Sequence, residues 1–214
     1  MKTKLTLSQK NLALSFFNSG IIQFDFEKGW RLKLHEKYPN APLSPFYIDL
    51  RLLQSKLEAK QKAVSALIKM AKNLKYDYLA GIPLGAIALV SSMADKLGKP
   101  QITPRLDEKT HGQIRKIDGF YEKGGIALVV DDLVTTADSK LEAIKILEDN
   151  GLVVKDVLVV FDREQGGAKE LAKRGYRLHS FLKIKPTLKF YNEVGMITTG
   201  QLKQVLNYLE NPLG

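Results

Sequence analysis

The sequence predicts an α/β protein built on a mainly parallel sheet that is flanked by helices. Two observations support this prediction. Short apolar runs that suit buried strands alternate with helical patterns along most of the chain, as in proteins with parallel sheets. The chain has 214 residues, of which 44% are hydrophobic and 26% charged, and this suits one globular domain over residues 1–214.

Helices are predicted where apolar residues recur at spacings of three and four and a stop residue follows. The segment between Val64 and Leu74 has this spacing. Gly20, Gly98 and Gly151 each follow a helical pattern and indicate where it ends. The helices predicted in this way are 8–19, 57–74, 86–97, one that starts with a capping box at Ser139, one that ends at Lys173, and two short helices that close the chain.

Strands are predicted where short runs of apolar, β-branched or aromatic residues lie between turn residues. The run from Ile126 to Val130 is apolar throughout, which suits a strand buried on both faces. The basic segment 28–45 holds three of the eight prolines and is expected to be irregular. The strands predicted in this way are 46–50, 78–80, 101–104, 126–130, 157–161 and 176–182.

The composition narrows the class of protein. The chain has no cysteine, which excludes disulfides and thiolate metal sites and agrees with a cytoplasmic protein. We expect no membrane association, because the sequence shows neither a secretory signal nor an apolar run as long as a membrane span. The formal net charge of +10 attracts anions, either nucleic acid or a small polyanionic substrate. We expect no nucleic-acid binding, because no aromatic residues interleave with the helical lysines as stacking platforms. His35, His111 and His179 do not have a metal-ligand spacing.

The most informative segment begins where the strand 126–130 ends. Asp131 and Asp132 follow directly, at the carboxyl end of the strand, where open α/β sheets bind ligands. Adjacent carboxylates there can accept hydrogen bonds from a pair of sugar hydroxyls. Residues 135–139 then offer hydroxyls and backbone N–H groups at the start of a helix, which suits a phosphate. The alternative is a turn in which these side chains serve only as caps. Two adjacent acids after a buried strand are costly unless something binds them, which favours a site for a phosphorylated sugar.

Three other loops at strand ends have residues suited to chemistry. The loop 105–116 holds four basic residues and a histidine, and its Lys109 and His111 could meet a departing pyrophosphate; a solvated loop is the alternative. Arg163 follows a buried strand and could bind a carboxylate in bidentate fashion or pair with a neighbouring acid. The segment 81–86 has glycines on both sides of a proline, so its backbone can approach a second phosphate group closely.

Four segments in this order and spacing resemble the orotate phosphoribosyltransferase family, which includes the N-terminal half of UMP synthase. The resemblance runs from about residue 20 to residue 182. The segments are 129–139 (Val-Val-Asp-Asp-Leu-Val-Thr-Thr-Ala-Asp-Ser), similar to the family's signature for phosphoribosyl pyrophosphate (PRPP); 44–51, similar to its N-terminal strand; 105 with 109–112, similar to its catalytic loop; and 162–167, similar to the stretch that holds orotate.

The resemblance implies a type I phosphoribosyltransferase fold, with a small hood from about residues 20–55 and part of the C-terminal segment. It implies transfer of the 5-phosphoribosyl group from PRPP to orotate in pyrimidine (UMP) biosynthesis, which gives orotidine 5′-monophosphate and pyrophosphate. It further implies Mg2+ carried by PRPP rather than held directly by the protein. Finally, it implies a homodimer in which the catalytic loop is shared across subunits.

The resemblance also implies roles for individual residues. Those implied to bind PRPP are Lys33, Arg105, Lys109, His111, Asp131, Asp132, Thr135, Thr136, Ala137, Asp138 and Ser139. Those implied to contact orotate are Tyr47, Thr135 and Arg163. Those implied to be catalytic are Lys109, His111, Asp131 and Asp132.

The chain departs from the family pattern at four positions. Leu106 stands where a second basic residue is usual, Ala137 where a glycine is usual, and Leu84 where an aromatic residue is usual. Asp138 adds a carboxylate near the proposed phosphate. Two alternatives therefore stay open: a phosphoribosyltransferase for another base, and a PRPP-sensing regulator that binds nucleic acid. The stretch 109–111 argues against a pure sensor, because sensing does not need a lid that handles pyrophosphate.

Overall fold

The computed structural model describes residues 4–32, 34–106 and 116–213. The helices, in chain order, are α1 (Leu7–Asn18), α2 (Leu34–Lys37), α3 (Leu57–Ala71), α4 (Ile87–Leu97), α5 (Asp138–Asp149), α6 (Gly167–Lys173), α7 (Ile184–Glu193) and α8 (Thr199–Glu210), with a 3-10 helix at Leu50–Gln54. The strands are β1 (Ile22–Phe24), β2 (Phe46–Ile48), β3 (Tyr78–Gly81), β4 (Gln101–Pro104), β5 (Ile117–Asp118), β6 (Ile126–Val134), β7 (Val153–Asp162) and β8 (Arg177–Lys183). Two compact units divide the chain: Met1–Ala59 with Ile184–Gly214, and Lys60–Lys183.

The first unit joins both ends of the chain around an aromatic core. Its strands β1 and β2 pair in antiparallel fashion. The helix α1 begins with a capping box in which Thr6 and Gln9 satisfy each other's backbone N–H groups. The buried Tyr191 of α7 donates a hydrogen bond of 2.7 Å to the carbonyl of Ala13 in α1, so a C-terminal helix is fixed to an N-terminal one.

The second unit is an α/β layer structure, as the sequence predicts. Within the described residues its sheet has six strands in the order β5-β4-β3-β6-β7-β8, and all pairs are parallel except β4 with β5. The central strands β6 and β7 are apolar over most of their length and buried, as expected for strands covered on both faces. Helices α4, α5 and α6 lie against the sheet. Because the strands are parallel, the loops that follow β3, β6 and β7 all leave from the same edge.

Several local predictions differ from the structure. The strand β6 continues to Val134 instead of ending at Val130, because β7 is also longer than predicted and pairs with it up to Asp162. The capping box at Ser139 is wrong: α5 begins at Asp138, and Ala137 precedes it without a side-chain cap. Short elements such as β1, α2 and β5 lack a clear sequence pattern and were not predicted. Among the described residues, no helix is both long enough and apolar enough to cross a membrane.

Candidate active site

The loops that follow β3, β6 and β7 contact one another at the carboxyl edge of the sheet. The loop after β3 approaches the acids of β6 so closely that a Cβ atom on Gly85 would lie 2.9 Å from Cγ of Asp132. The loop after β7 is bonded to the end of β6, since the backbone N–H of Arg163 donates to the carbonyl of Val134 at 3.0 Å. The three loops therefore form one polar site within the second unit.

The two acids of β6 lie in different surroundings. Asp131 is 6% exposed, and its Oδ2 is 2.5 Å from Nζ of Lys140, which is also 6% exposed. The other oxygen of Asp131 accepts a hydrogen bond of 2.8 Å from the backbone N–H of Asp132. Asp132 is partly buried beside the glycine of the β3 loop. One acid is thus held in an ion pair, while the other faces a neighbouring loop.

The electrostatics of Asp132 depend on both neighbours. Burial, and next the negative charge of Asp131, raise the pKa of Asp132 from 3.8 to about 7. The cation of Lys140 acts in the opposite direction and lowers this pKa, but by less. Asp132 therefore gains or loses its proton near neutral pH. Acids with a strongly shifted pKa are common at functional sites.

Residues 135–139 form a turn that leads into the N-terminus of α5. Ala137 has φ of +80°, a left-handed conformation that favours glycine, and its side chain is 2% exposed. The Thr136 hydroxyl donates to the exposed Asp138 carboxylate at 2.7 Å, so that carboxylate is held locally. The first turn of an α-helix leaves backbone N–H groups without intrahelical acceptors, and such groups bind anions well.

The loop after β7 lies directly against this turn. The backbone N–H of Gly167 donates to the carbonyl of Thr135 at 2.8 Å, and a Cβ on Gly167 would come within 2.6 Å of the same oxygen. Arg163 is only 7% exposed, as is usual for an arginine held in a defined place. Two main-chain hydrogen bonds therefore fix the arginine loop, one to the end of β6 and one to the turn that leads into α5.

Arg105 directly follows the last residue of β4. Its backbone N–H donates to the carbonyl of Lys116 at 2.9 Å, and its Nη2 is 2.5 Å from Oδ1 of Asp118. The guanidinium is partly exposed, with 27% of the side-chain surface accessible. Arg105 is thus held by an acid of β5.

Comparisons with known proteins identify the family of this chain. No family model matches the chain. Over 175 residues it is 31% identical to orotate phosphoribosyltransferase from Caenorhabditis elegans, across 81% of this chain and 77% of that protein. The chain belongs to the orotate phosphoribosyltransferase family.

Longer members of the orotate phosphoribosyltransferase family are also similar to the chain. It is 36% identical over 157 residues to the bifunctional enzyme PyrF/PyrE from Nostoc sp., across 73% of this chain but 33% of that protein. The structure of Leishmania donovani UMP synthase aligns with a TM-score of 0.81 and 29% identity, over 95% of this chain and 42% of that chain. The chain therefore spans less than half the length of these two relatives.

The described residues of the second unit include part of the site predicted for an orotate phosphoribosyltransferase. The structure brings together Asp131, Asp132, residues 135–139 and Arg163. Tyr47 lies on β2 of the first unit, where its hydroxyl accepts a hydrogen bond of 3.4 Å from Arg51. The predicted Lys33, Lys109 and His111 lie outside the described residues.

Sequence reasoning missed Lys140, whose ammonium contacts Asp131. A signal for it exists, because the buried residues of α5 are Lys140, Ala143, Ile144 and Leu147. This is the spacing of an apolar helix face, and a lysine at its first position requires a buried partner. Among the described residues, no group of three or more histidine and acidic side chains is arranged to hold a metal ion.

Proposed function

We propose that the chain is an orotate phosphoribosyltransferase that acts in pyrimidine biosynthesis. In this proposal it transfers the 5-phosphoribosyl group from PRPP to N1 of orotate and releases orotidine 5′-monophosphate and pyrophosphate. Membership of the family supports the reaction. The observation that carries it is the hydrogen bond that joins the Arg163 loop to the turn 135–137, because an arginine suits a carboxylate and the start of a helix suits a phosphate.

PRPP would occupy the carboxyl edge of β6. The turn formed by Thr135, Thr136, Ala137, Asp138 and Ser139 would bind its 5′-phosphate through hydroxyls and the N–H groups that open α5. Asp131 and Asp132 would accept hydrogen bonds from the two ribose hydroxyls. A diol offers two donors to two adjacent carboxylates, so its binding would offset the burial and the neighbouring negative charge that raise the pKa of Asp132.

Orotate would bind where the arginine loop meets the turn. Its carboxylate suits the planar fork of Arg163, which can donate two parallel hydrogen bonds. Thr135 would contact the same base, since its backbone is bonded to the arginine loop. The resemblance of the chain to the family further implies that Tyr47 lies beside the ring of orotate.

The leaving pyrophosphate would be handled by basic side chains. Arg105, Lys109 and His111 are proposed to stabilise its charge, and Lys33 to bind PRPP. Arg105 would exchange Asp118 for a pyrophosphate oxygen when PRPP enters, because the guanidinium is partly exposed. Mg2+ would arrive on the pyrophosphate and be held mainly by substrate oxygens and water, as this ion prefers.

The protein's contribution to the reaction would be positioning and charge stabilisation. C1 of the ribose becomes oxocarbenium-like as the bond to pyrophosphate breaks, so cations beside the leaving group lower the barrier. Holding orotate and PRPP on loops joined by hydrogen bonds brings N1 and C1 into line, which converts a bimolecular step into one within a complex. We further propose a cytoplasmic homodimer that shares the loop 105–116, which would require both subunits for full activity.

Substitution of Arg163 tests the assignment of orotate. Arg163→Ala should raise the KM for orotate about 10- to 100-fold, the loss expected for hydrogen bonds to a charged group, with a smaller change in the KM for PRPP. The matched control is Arg174→Ala, which removes an arginine that is 57% exposed near the end of α6. An unchanged KM for orotate in Arg163→Ala would remove this residue from the base site.

Substitution of Lys109 tests the pyrophosphate assignment. Lys109→Ala should lower turnover at least as strongly as it weakens PRPP binding, because charge on the leaving group develops in the transition state. Turnover at the wild-type rate would rule out a catalytic role for this lysine.

A further inference from the structure

The buried ion pair between Asp131 and Lys140 is not part of the site that the sequence predicts. Lys140 occupies the buried face of α5 with Ala143, Ile144 and Leu147, and it is 6% exposed. A lysine in this position loses most of its hydration, so an apolar residue would serve the fold at lower cost. The lysine is therefore better explained by what its ammonium contacts than by the stability of the helix.

The ammonium of Lys140 touches both parts of the proposed PRPP site. Its Nζ lies 2.5 Å from Oδ2 of Asp131 and 3.3 Å from Oγ of Ser139, to which it donates a hydrogen bond. Asp131 is a proposed ligand of the ribose, and Ser139 belongs to the turn proposed for the 5′-phosphate. A single buried cation thus links the strand that holds the sugar to the helix that holds the phosphate.

The charges around Asp131 and Asp132 depend on this lysine. The loop 82–86, which approaches Asp132 from β3, has no charged side chain, and β7 places Val159 opposite Asp131. The charged groups that act on Asp132 are Asp131 on its own strand and Lys140 on α5. Without the lysine, no cation would offset the charge of Asp131, and the pKa of Asp132 would rise further.

We propose that Lys140 is a positioning residue of the PRPP site. It holds Asp131 in one orientation and ties that acid to Ser139, so that both carboxylates accept hydrogen bonds from the ribose diol. This role rests on the proposed function, because it assumes that PRPP binds at the acids of β6. A purely structural ion pair would contribute to folding but would not make PRPP affinity depend on pH.

The test compares three variants with the wild type. Lys140→Met removes the charge but keeps most of the length of the side chain, and Lys140→Arg keeps the charge. Lys145→Met is the matched control, since Lys145 lies on the exposed face of α5 with 73% of its side chain accessible. Binding of Mg2+–PRPP is measured by calorimetry at pH 7 and pH 9 without any base, together with urea unfolding.

The proposal expects a loss of affinity that depends on pH. If removing the cation raises the pKa of Asp132 by about one unit, the ionised fraction at pH 7 falls about fivefold, and PRPP affinity falls with it. At pH 9 Asp132 is ionised again, so the gap in PRPP affinity between Lys140→Met and the wild type should close to about twofold or less. Lys140→Arg should stay within about threefold of the wild type, and Lys145→Met should match it.

A spectroscopic measurement on the wild type keeps the test valid should Lys140→Met fail to fold. With lysine labelled at Cε with 13C, Mg2+–PRPP should shift the resonance of Lys140 and leave that of Lys145 in place. Affinity in Lys140→Met equal to the wild type, or reduced equally at both pH values, would overturn the proposal, as would an unshifted resonance. Wild-type protein that binds PRPP but does not use orotate would refute the proposed base while leaving the role of Lys140 intact. Wild-type protein that does not bind PRPP would refute both.

Discussion

Replacing Asp132 by asparagine should stabilise the folded protein at alkaline pH, although it removes a proposed ligand of the ribose. The pKa of this carboxyl is raised from 3.8 to about 7 by burial and by the adjacent Asp131. The folded protein therefore holds a proton that the unfolded chain releases between these two values. Stability from this group is fully present below pH 3.8 and is lost as the pH rises towards 7.

The size of the effect follows from the shift. One pKa unit corresponds to 1.36 kcal/mol, so a rise of about three units in Asp132 costs the ionised fold about 4 kcal/mol at pH 8. About 2.5 kcal/mol of this cost develops between pH 5 and pH 8. Asparagine has a similar shape and no charge, so Asp132→Asn should lose no stability from this source over the same range.

Urea unfolding of the wild type and Asp132→Asn at pH 5 and pH 8 measures the difference directly. The advantage of the variant in free energy of unfolding should grow by about 2.5 kcal/mol between the two pH values. The matched control is Asp149→Asn, whose carboxylate is 58% exposed on α5 and whose loss should change stability by less than about 1 kcal/mol at either pH. An advantage of Asp132→Asn that is the same at pH 5 and pH 8 would refute the account of this acid. The variant should also bind PRPP weakly, since function and stability compete at such sites.

Three other substitutions test the geometry of the second unit. Ala137→Gly should stabilise the protein by up to about 1 kcal/mol, because residue 137 has a left-handed backbone; an unchanged urea midpoint would argue against strain there. Gly167→Ala should raise the KM for PRPP and lower the free energy of unfolding by about 1–3 kcal/mol, because its Cβ would lie 2.6 Å from the Thr135 carbonyl oxygen. The control Gly200→Ala should be neutral, since its Cβ would have its nearest contact at 3.8 Å. Equal effects of the two substitutions would contradict the close approach at Gly167. Asp156→Asn should cost about 1–2 kcal/mol at pH 7: burial raises the pKa of Asp156, but hydrogen bonds from Arg177 and His179 on β8 outweigh it and lower this pKa. The cost should shrink as the pH falls through that pKa, and a cost independent of pH would contradict the account of Asp156.

The sequence was sufficient where one local pattern decides the structure. Neighbouring residues alone predict the apolar run 126–130, the stop at Gly151 and the short strand 101–104. The structure confirms them: the run lies in β6, α5 ends at Asp149 just before Gly151, and β4 spans Gln101–Pro104. The position of Arg163 just past a strand was also predictable, because parallel strands end at one edge of the sheet.

Features that depend on distant partners could not be predicted from local pattern. The extension of β6 to Val134 depends on its register with β7, and the ion pair of Arg105 with Asp118 depends on the pairing of β4 with β5. The start of α5 was misplaced because Ala137 takes a left-handed conformation, which its side chain does not signal. Lys140 could have been found from its place on the apolar face of α5, but its partner Asp131 is known only from the fold.

The central claim is most directly tested by the products formed from PRPP and Mg2+ with a panel of bases. The account predicts orotidine 5′-monophosphate and pyrophosphate in equal amounts when orotate is the base, and little pyrophosphate with adenine, guanine, hypoxanthine or uracil. Pyrophosphate release with another base but not with orotate would contradict the assignment of Arg163 to the orotate carboxylate. PRPP binding without turnover of any base would contradict an enzymatic function.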